Sequence, residues 1–227
     1  MDMPMPGGWT MSMMWMRVPG QSWPGTVAVF MGMWIVMMAA MMLPSIVPML
    51  WRYRQSLAAT RAMHVNGLIA VAGTGYFAVW TLVGLATFPA GVAVATVAMC
   101  YPALSEAVPA AAGIVVLIAG LLQLTKWKAR QLECCREISG PGGGRPAGAG
   151  TAWRHGVRLG LHCVRCCANL MAILLAVGVM DAGAMAAVTA AITIERLAPD
   201  GARVARVSGI VAGAAGVLLI ASSIAYP

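Results

Sequence analysis

The stretch from Met31 to Trp51, MGMWIVMMAAMMLPSIVPMLW, constrains this chain more than any other. It is apolar enough to cross a bilayer, yet seven of its residues are methionine. A span needs roughly 20 apolar residues, and Leu, Ile or Val would fill the same volume in lipid. The thioethers therefore ask for a second reason. Met33, Met37 and Met41 recur every four residues, as do Met38 and Met42, so sulfurs from successive turns stack along one sector about 5.4 Å apart. Thioether sulfur is soft and selects Cu(I). Met is equally an adaptable packing residue, and on this helix alone both readings stand. Pro44 lacks an amide hydrogen and its ring meets the carbonyl four residues back, which predicts a kink and an opening beside Met41 and Met42.

The rest of the chain agrees with a membrane setting. Of its 227 residues, 60% are hydrophobic and 10% charged, and the mean hydropathy is +0.81. Soluble domains run near 45–50% apolar and about 25% charged. The expected fold is an all-α integral membrane protein with six transmembrane helices, at 25–50, 67–88 with a continuation toward 99, 107–125, 163–180, 182–197 and 207–226. Net charge is +8, but its distribution points to a membrane rather than to nucleic acid. Fourteen of the 15 Lys and Arg residues fall between spans one and two, three and four, or five and six; Arg17 is the exception. The positive-inside rule then places both termini outside. No basic stretch leads promptly into an apolar core with a small-residue cleavage site, so the first span serves as its own targeting signal.

Residues 1–23 form the expected Met-rich extracytoplasmic tail, and 24–227 a single polytopic membrane domain with a flexible cytoplasmic linker at about 139–151, SGPGGGRPAGAGT. Pro4, Pro6, Gly7, Gly8, Pro19 and Gly20 punctuate the tail and argue against a regular element. Met1, Met3 and Met5, then Met11, Met13, Met14 and Met16, lie where apolar burial does not account for them. Closely spaced thioethers can wrap a soft monovalent ion outside the cell, where thiols would oxidise. Resting with Trp9, Trp15 and Trp23 at the headgroups is the competing account. Beyond Pro89 the chain is expected to return to water, leaving Cys100 near the outer surface.

The densest set of potential ligands is His162-Cys163-Val-Arg-Cys166-Cys167, with Cys134 and Cys135 across the linker. On a helix, Cys163 pairs with Cys166 at i,i+3 and with Cys167 at i,i+4, and His162 pairs with Cys166 at i,i+4, so one face can hold several ligands. His155 lies two turns before His162. In a reducing cytoplasm these are thiols, and soft ligands of this kind accept Cu(I) or Zn(II). Juxtamembrane palmitoylation and plain helix packing are the alternatives. Glu195 reads as an interfacial carboxylate pairing with Arg196 or another Arg, or, if it faces the bundle, as a hard ligand or proton acceptor. Gly209, Gly213 and Gly216 predict a face for another helix or a second copy.

The run Met37-Met-Ala-Ala-Met-Met-Leu-Pro44 with Pro48-Met49, then Gln123-x-Thr125-x-x-Lys128 leading to Cys135-Arg136, then Gly160-x-x-Cys163-x-x-Cys166-Cys167-x-x-Leu170-Met171, then Gly178-Val-Met180 and Glu195, resembles a bacterial family of predicted metal-binding integral membrane proteins, a domain of unknown function. The resemblance covers roughly residues 25–200 and implies a multi-pass fold in the bacterial cytoplasmic (inner) membrane with a metal site. This chain departs from the pattern at Gln131, where the family usually carries a Cys, at the added Cys134, and at Arg165 and Ala168.

The expected function is metal handling, with copper as Cu(I) first and zinc second. The ligands are drawn from Cys163, Cys166, Cys167, His162, Cys134, Cys135, Met37, Met38, Met41, Met42, Met3 and Met5. The expected partners are the lipid bilayer, the metal ion, and a second copy or a membrane complex. An accessory or assembly subunit and a membrane thiol-disulfide oxidoreductase are the rival readings. The chain has no phosphate-binding loop, nucleophile elbow or zincin pair, so an enzyme is not the first expectation.

Overall fold

The computed structural model describes residues 2–5, 9–12, 15–17, 20–59, 64–138, 148–179 and 181–225. It is a bundle of helices: α1 (Trp23–Ala59), α2 (Val65–Cys100), α3 (Pro102–Gln123), α4 (Lys126–Ile138), α5 (Ala149–Val177), α6 (Ala182–Leu197) and α7 (Gly201–Ala225). Five of them, α1, α2, α3, α5 and α7, are long and apolar enough to cross a membrane. The fifth predicted span coincides with α6, whose 16 residues give about 24 Å at 1.5 Å per residue. That falls short of the roughly 30 Å hydrocarbon core.

Helix α1 runs unbroken through both Pro44 and Pro48. Beside Ala40, Met41 and Pro44 lies an open apolar groove whose other wall is Met185, Thr189 and Thr193 of α6. Helix α2 likewise continues through Pro89 to Cys100, the continuation toward 99 that its apolar run allowed, and Cys100 is exposed. Neighbours hold it on one side, with Phe88 tilted against Phe30 at 4.9 Å and 50° and Ala95 and Ala98 buried. A single lost amide bond does not end a helix held on one side by neighbours. The chain reverses at Tyr101 instead, with Pro102 opening α3.

Two close approaches organise the bundle. Along α3 and α7, a Cβ at Gly120 would lie 2.6 Å from the Gly213 nitrogen, and one at Gly216 would lie 2.6 Å from the Leu117 nitrogen. The predicted glycine face of α7 is thus used within the chain. Between α2 and α5, Gly156 seats its backbone on Ala72. The resulting core joins Phe30, Trp34, Met38, Met41 and Met42 of α1 to Tyr76 and Trp80 of α2 and to the cysteines of α5. Trp34 fixes this contact by donating its indole N–H to the Trp80 carbonyl at 2.9 Å.

The tail carries regular structure that its Pro and Gly content argued against. Strand β1 (Asp2–Pro4) pairs antiparallel with β2 (Thr10–Ser12), placing Met3 opposite Met11. The Met5 amide donates to the Trp9 carbonyl at 2.9 Å. Trp9 reaches the start of α3 through a 3.0 Å bond from Nε1 to the Ser105 carbonyl, and Trp15 packs 5.3 Å from Phe30. Trp9 is thus held by a backbone carbonyl of α3 and Trp15 by Phe30 of α1 and the open backbone at Gly91 of α2, contacts that outweigh the weak propensity of the segment itself. Of the expected linker at 139–151, residues 139–147 lie outside the described ones. Ala149, Gly150 and Thr151 form the first turn of α5.

Candidate metal site

Helical periodicity decides which cysteines face inward. In α5 the buried positions include Leu159, Cys163, Cys166, Cys167, Leu170 and Leu174, the spacing of a single apolar stripe. In α4, Lys128, Leu132 and Cys135 are buried, four and then three residues apart. Cys134, one residue and about 100° of helix rotation away, is exposed. His162 sits on the flank of the α5 stripe, half-buried, and its Nδ1 finds no hydrogen-bond partner among the described residues. His155 stacks on Tyr53 at 4.3 Å and 18° rather than joining the cysteines.

The centre of the site is Cys163, which is fully buried. Its sulfur lies 3.9 Å from Met42 Sδ and 3.9 Å from Cys167 Sγ. The Tyr76 hydroxyl donates to it at 3.0 Å, and Arg196 Nη1 at 3.1 Å. Of the Met residues singled out in α1, Met42 reaches the cysteines, while Met37, Met38 and Met41 are buried in the surrounding core. In the tail, Met5 is half-buried, and the side chain of Met3 lies outside the described ones.

Arg196 ties three helices together. Its Nη1 also donates to Ser45 Oγ at 3.0 Å, and its Nη2 donates to Met49 Sδ at 3.0 Å and to Cys135 Sγ at 3.3 Å. Its Nε finds no acceptor among the described residues. Cys135 is hydrogen-bonded to Cys166, and that bond, then burial, push the Cys135 thiol well above the usual thiol range against the pull of Arg196.

A polar network lies against the same face. Lys128 Nζ pairs with Glu195 Oε2 at 2.9 Å and donates to the Cys166 carbonyl at 2.5 Å. Gln123 Nε2 and Ser208 Oγ each donate to Glu195 Oε1 at 2.6 Å, and Asn169 Nδ2 donates to Gln123 Oε1 at 2.7 Å. Glu195 is therefore a buried carboxylate paired with Lys128. Of the two readings of Glu195, at the interface beside Arg196 or facing the bundle, its burial agrees with the second; Lys128, Gln123, Asn169, Tyr76 and Ser45 were not singled out as its surroundings. An ionisable residue within an otherwise apolar helix was the available signal, and Lys128 followed Gln123 in the motif that carried the family resemblance.

Among the described residues, no group of three or more His, Cys, Asp or Glu side chains is positioned to hold a metal ion. The cluster that does form mixes thiol and thioether sulfur. Two sulfurs bound to one metal at about 2.3 Å, at tetrahedral to trigonal angles, lie about 3.8–4.0 Å apart. The separations of Cys163 from Met42 and from Cys167 fall in that interval.

Fold and site together define a helical protein of long apolar helices closed around a buried set of Cys and Met sulfurs. Residues 31–219 match the PpoB2 family, described as a copper chaperone, and the chain belongs to that family. The match agrees with the metal-related resemblance seen in the sequence and leaves the first 30 residues outside it. No curated protein and no solved structure matches the chain.

Proposed function

We propose that this protein is a multi-pass membrane protein of the bacterial inner membrane that binds Cu(I) at a buried sulfur site and passes it on. Cys163, Cys167 and Met42 are the proposed ligands, with Cys135, Cys166 and Met49 beside them. The carrying observation is the 3.9 Å spacing of Cys163 Sγ from both Met42 Sδ and Cys167 Sγ. Thiolate and thioether together favour Cu(I), whereas Zn(II) takes thiolate, imidazole or carboxylate and gains little from a neutral thioether. Membership in a family described as a copper chaperone supports the same metal.

In this reading the tail, with Met3 and Met5, collects Cu(I) outside, and the Met sector of α1 connects that side to the cysteines. The docking of the tail through Trp9 and Trp15 on the α2–α3 end supports a tail that belongs to the bundle. Six crossings with both termini outside remain the preferred topology. Helix α6 is then the short fifth crossing, and Glu195 and Arg196 in its last turns face the site.

The test is Cu(I) titration of detergent-purified protein against a chromogenic Cu(I) chelator, with Zn(II) in parallel. The expected result is about one Cu(I) held per chain, lost on Cys163→Ser. Equal metal content in parent and variant would remove Cys163 from the site and the proposal with it.

A further inference from the structure

The sulfur site already holds a cation, supplied by the chain itself. Arg196 is 3% exposed, and its two terminal nitrogens donate to Cys163, Cys135, Met49 and Ser45 at 3.0–3.3 Å. Three of those acceptors are sulfurs, which are weak hydrogen-bond acceptors. Carboxylate is the usual buried partner of a guanidinium, and the nearby Glu195 is engaged by Lys128. The guanidinium therefore rests on soft atoms that a metal would bind far more strongly.

Its other side gives it somewhere to go. A cavity of about 310 Å³ adjoins Arg196, lined also by Pro48, Met49, Arg52, Leu197 and Pro199. Arg196 stands in the last turn of α6, which ends at Leu197 with Ala198 extended. Arg196 thus stands between the sulfurs on one side and this cavity on the other.

We propose that Arg196 is the resident cation of the site and that a soft monovalent metal is taken up by exchange with it. This inference rests on the copper reading above. In the exchange the N–H bonds to sulfur are given up, metal–sulfur bonds form, and the guanidinium turns into the cavity. A thiol that becomes a ligand releases its proton to solvent, and no electron moves. Each proton lost from a ligating thiol lowers the charge of the pocket by one, so Cu(I) on the Cys163 and Cys167 thiolates and neutral Met42 carries a single negative charge, and the guanidinium turned into the adjoining cavity is its counter-charge. Zn(II) on the same ligands is already neutral and gains nothing from that neighbour. Arg196 thus becomes a determinant of metal selectivity as well as a latch.

The experiment labels the full-length wild-type protein with an arginine-specific dicarbonyl reagent, with and without Cu(I), and reads each arginine by peptide mass spectrometry. Arg196 labelling should rise several-fold on Cu(I) addition, while exposed Arg52 stays constant. In parallel, Arg196→Gln should narrow the preference for Cu(I) over Zn(II) by at least about tenfold, a modest share of what one unit charge at a few ångströms supplies. Stoichiometric Cu(I) at Cys163 with Arg196 still protected would overturn the exchange while leaving the copper site intact. A wild-type protein that binds no Cu(I) would instead remove the copper reading, and this inference with it.

Discussion

Cys163 Sγ and Met42 Sδ lie 3.9 Å apart although 121 residues separate them in the chain. One comes from a thioether sector of α1 and the other from the thiol stripe of α5, so the site exists only when these two helices are packed. Tyr76 of α2 and Arg196 of α6 also meet at Cys163. The residue is at once a proposed ligand and a junction of four helices.

Because Met42 is neutral and buried, Met42→Leu keeps its volume and removes only its sulfur. Cu(I) affinity should fall by about tenfold or more, with thermal stability changed by less than about 1.5 kcal/mol. Chelator competition and a melting curve on the same sample give both numbers. Met38→Leu, in the core beside it, should leave affinity unchanged.

The Lys128–Glu195 pair is buried on both sides, at 0% and 1% exposure. Removing one partner leaves a charge without its counter-ion, which costs roughly 3–5 kcal/mol. Lys128→Met and Glu195→Gln should each lower the melting temperature sharply. The double variant should recover much of the loss, and a double-mutant cycle showing no coupling would contradict the pairing.

The inward stripe of Cys163, Cys166 and Cys167 was legible in the sequence because α5 is strongly periodic, whereas α1 is apolar all round and its spacing did not single out Met42 from Met37, Met38 and Met41. The pairing of the two helices was not legible either, since spacing within an element says nothing of which face of another element it meets. Cys134 and Cys135 looked equivalent until α4 was seen to be a helix, after which one rotation step separates exposed from buried. Arg196 was assigned to the interface because its neighbour Glu195 offered a ready partner. In fact Lys128, 67 residues away, holds Glu195 and leaves Arg196 to the sulfurs. In the fold, the continuation of the second span toward 99 is present, with α2 running through Pro89 to Cys100.

Cys134 and Cys135 should differ in chemical reactivity. Cys134 is exposed, whereas Cys135 is buried and its thiol is held well above the usual range, so it supplies almost no thiolate at neutral or mildly alkaline pH. Iodoacetamide at pH 8 should modify Cys134 within minutes and spare Cys135, and raising the pH to 9 should not close the gap. The thiolate is the reactive form, so equal labelling of the two would mean that Cys135 is neither buried nor shifted as described.

The last prediction concerns which way the bundle faces. Fourteen of 15 basic residues cluster in three segments, which the positive-inside rule assigns to the cytoplasm. Helices α2 and α3 meet at Tyr101, on the end of the bundle where Trp9 and Trp15 dock, and neither the turn nor its flanks carry Lys or Arg. With α6 counted as a crossing, the linker at 139–147 faces in and the C-terminus faces out. With α6 lying short of a full crossing and the linker still inside, the C-terminus changes sides. A paired reporter, active as phosphatase outside and fluorescent inside, fused after Pro227 and inserted separately at 139–147, distinguishes the two. Phosphatase activity at the C-terminus with fluorescence at the linker supports six crossings. Fluorescence at both positions would leave α6 short of a crossing and overturn the six-crossing topology.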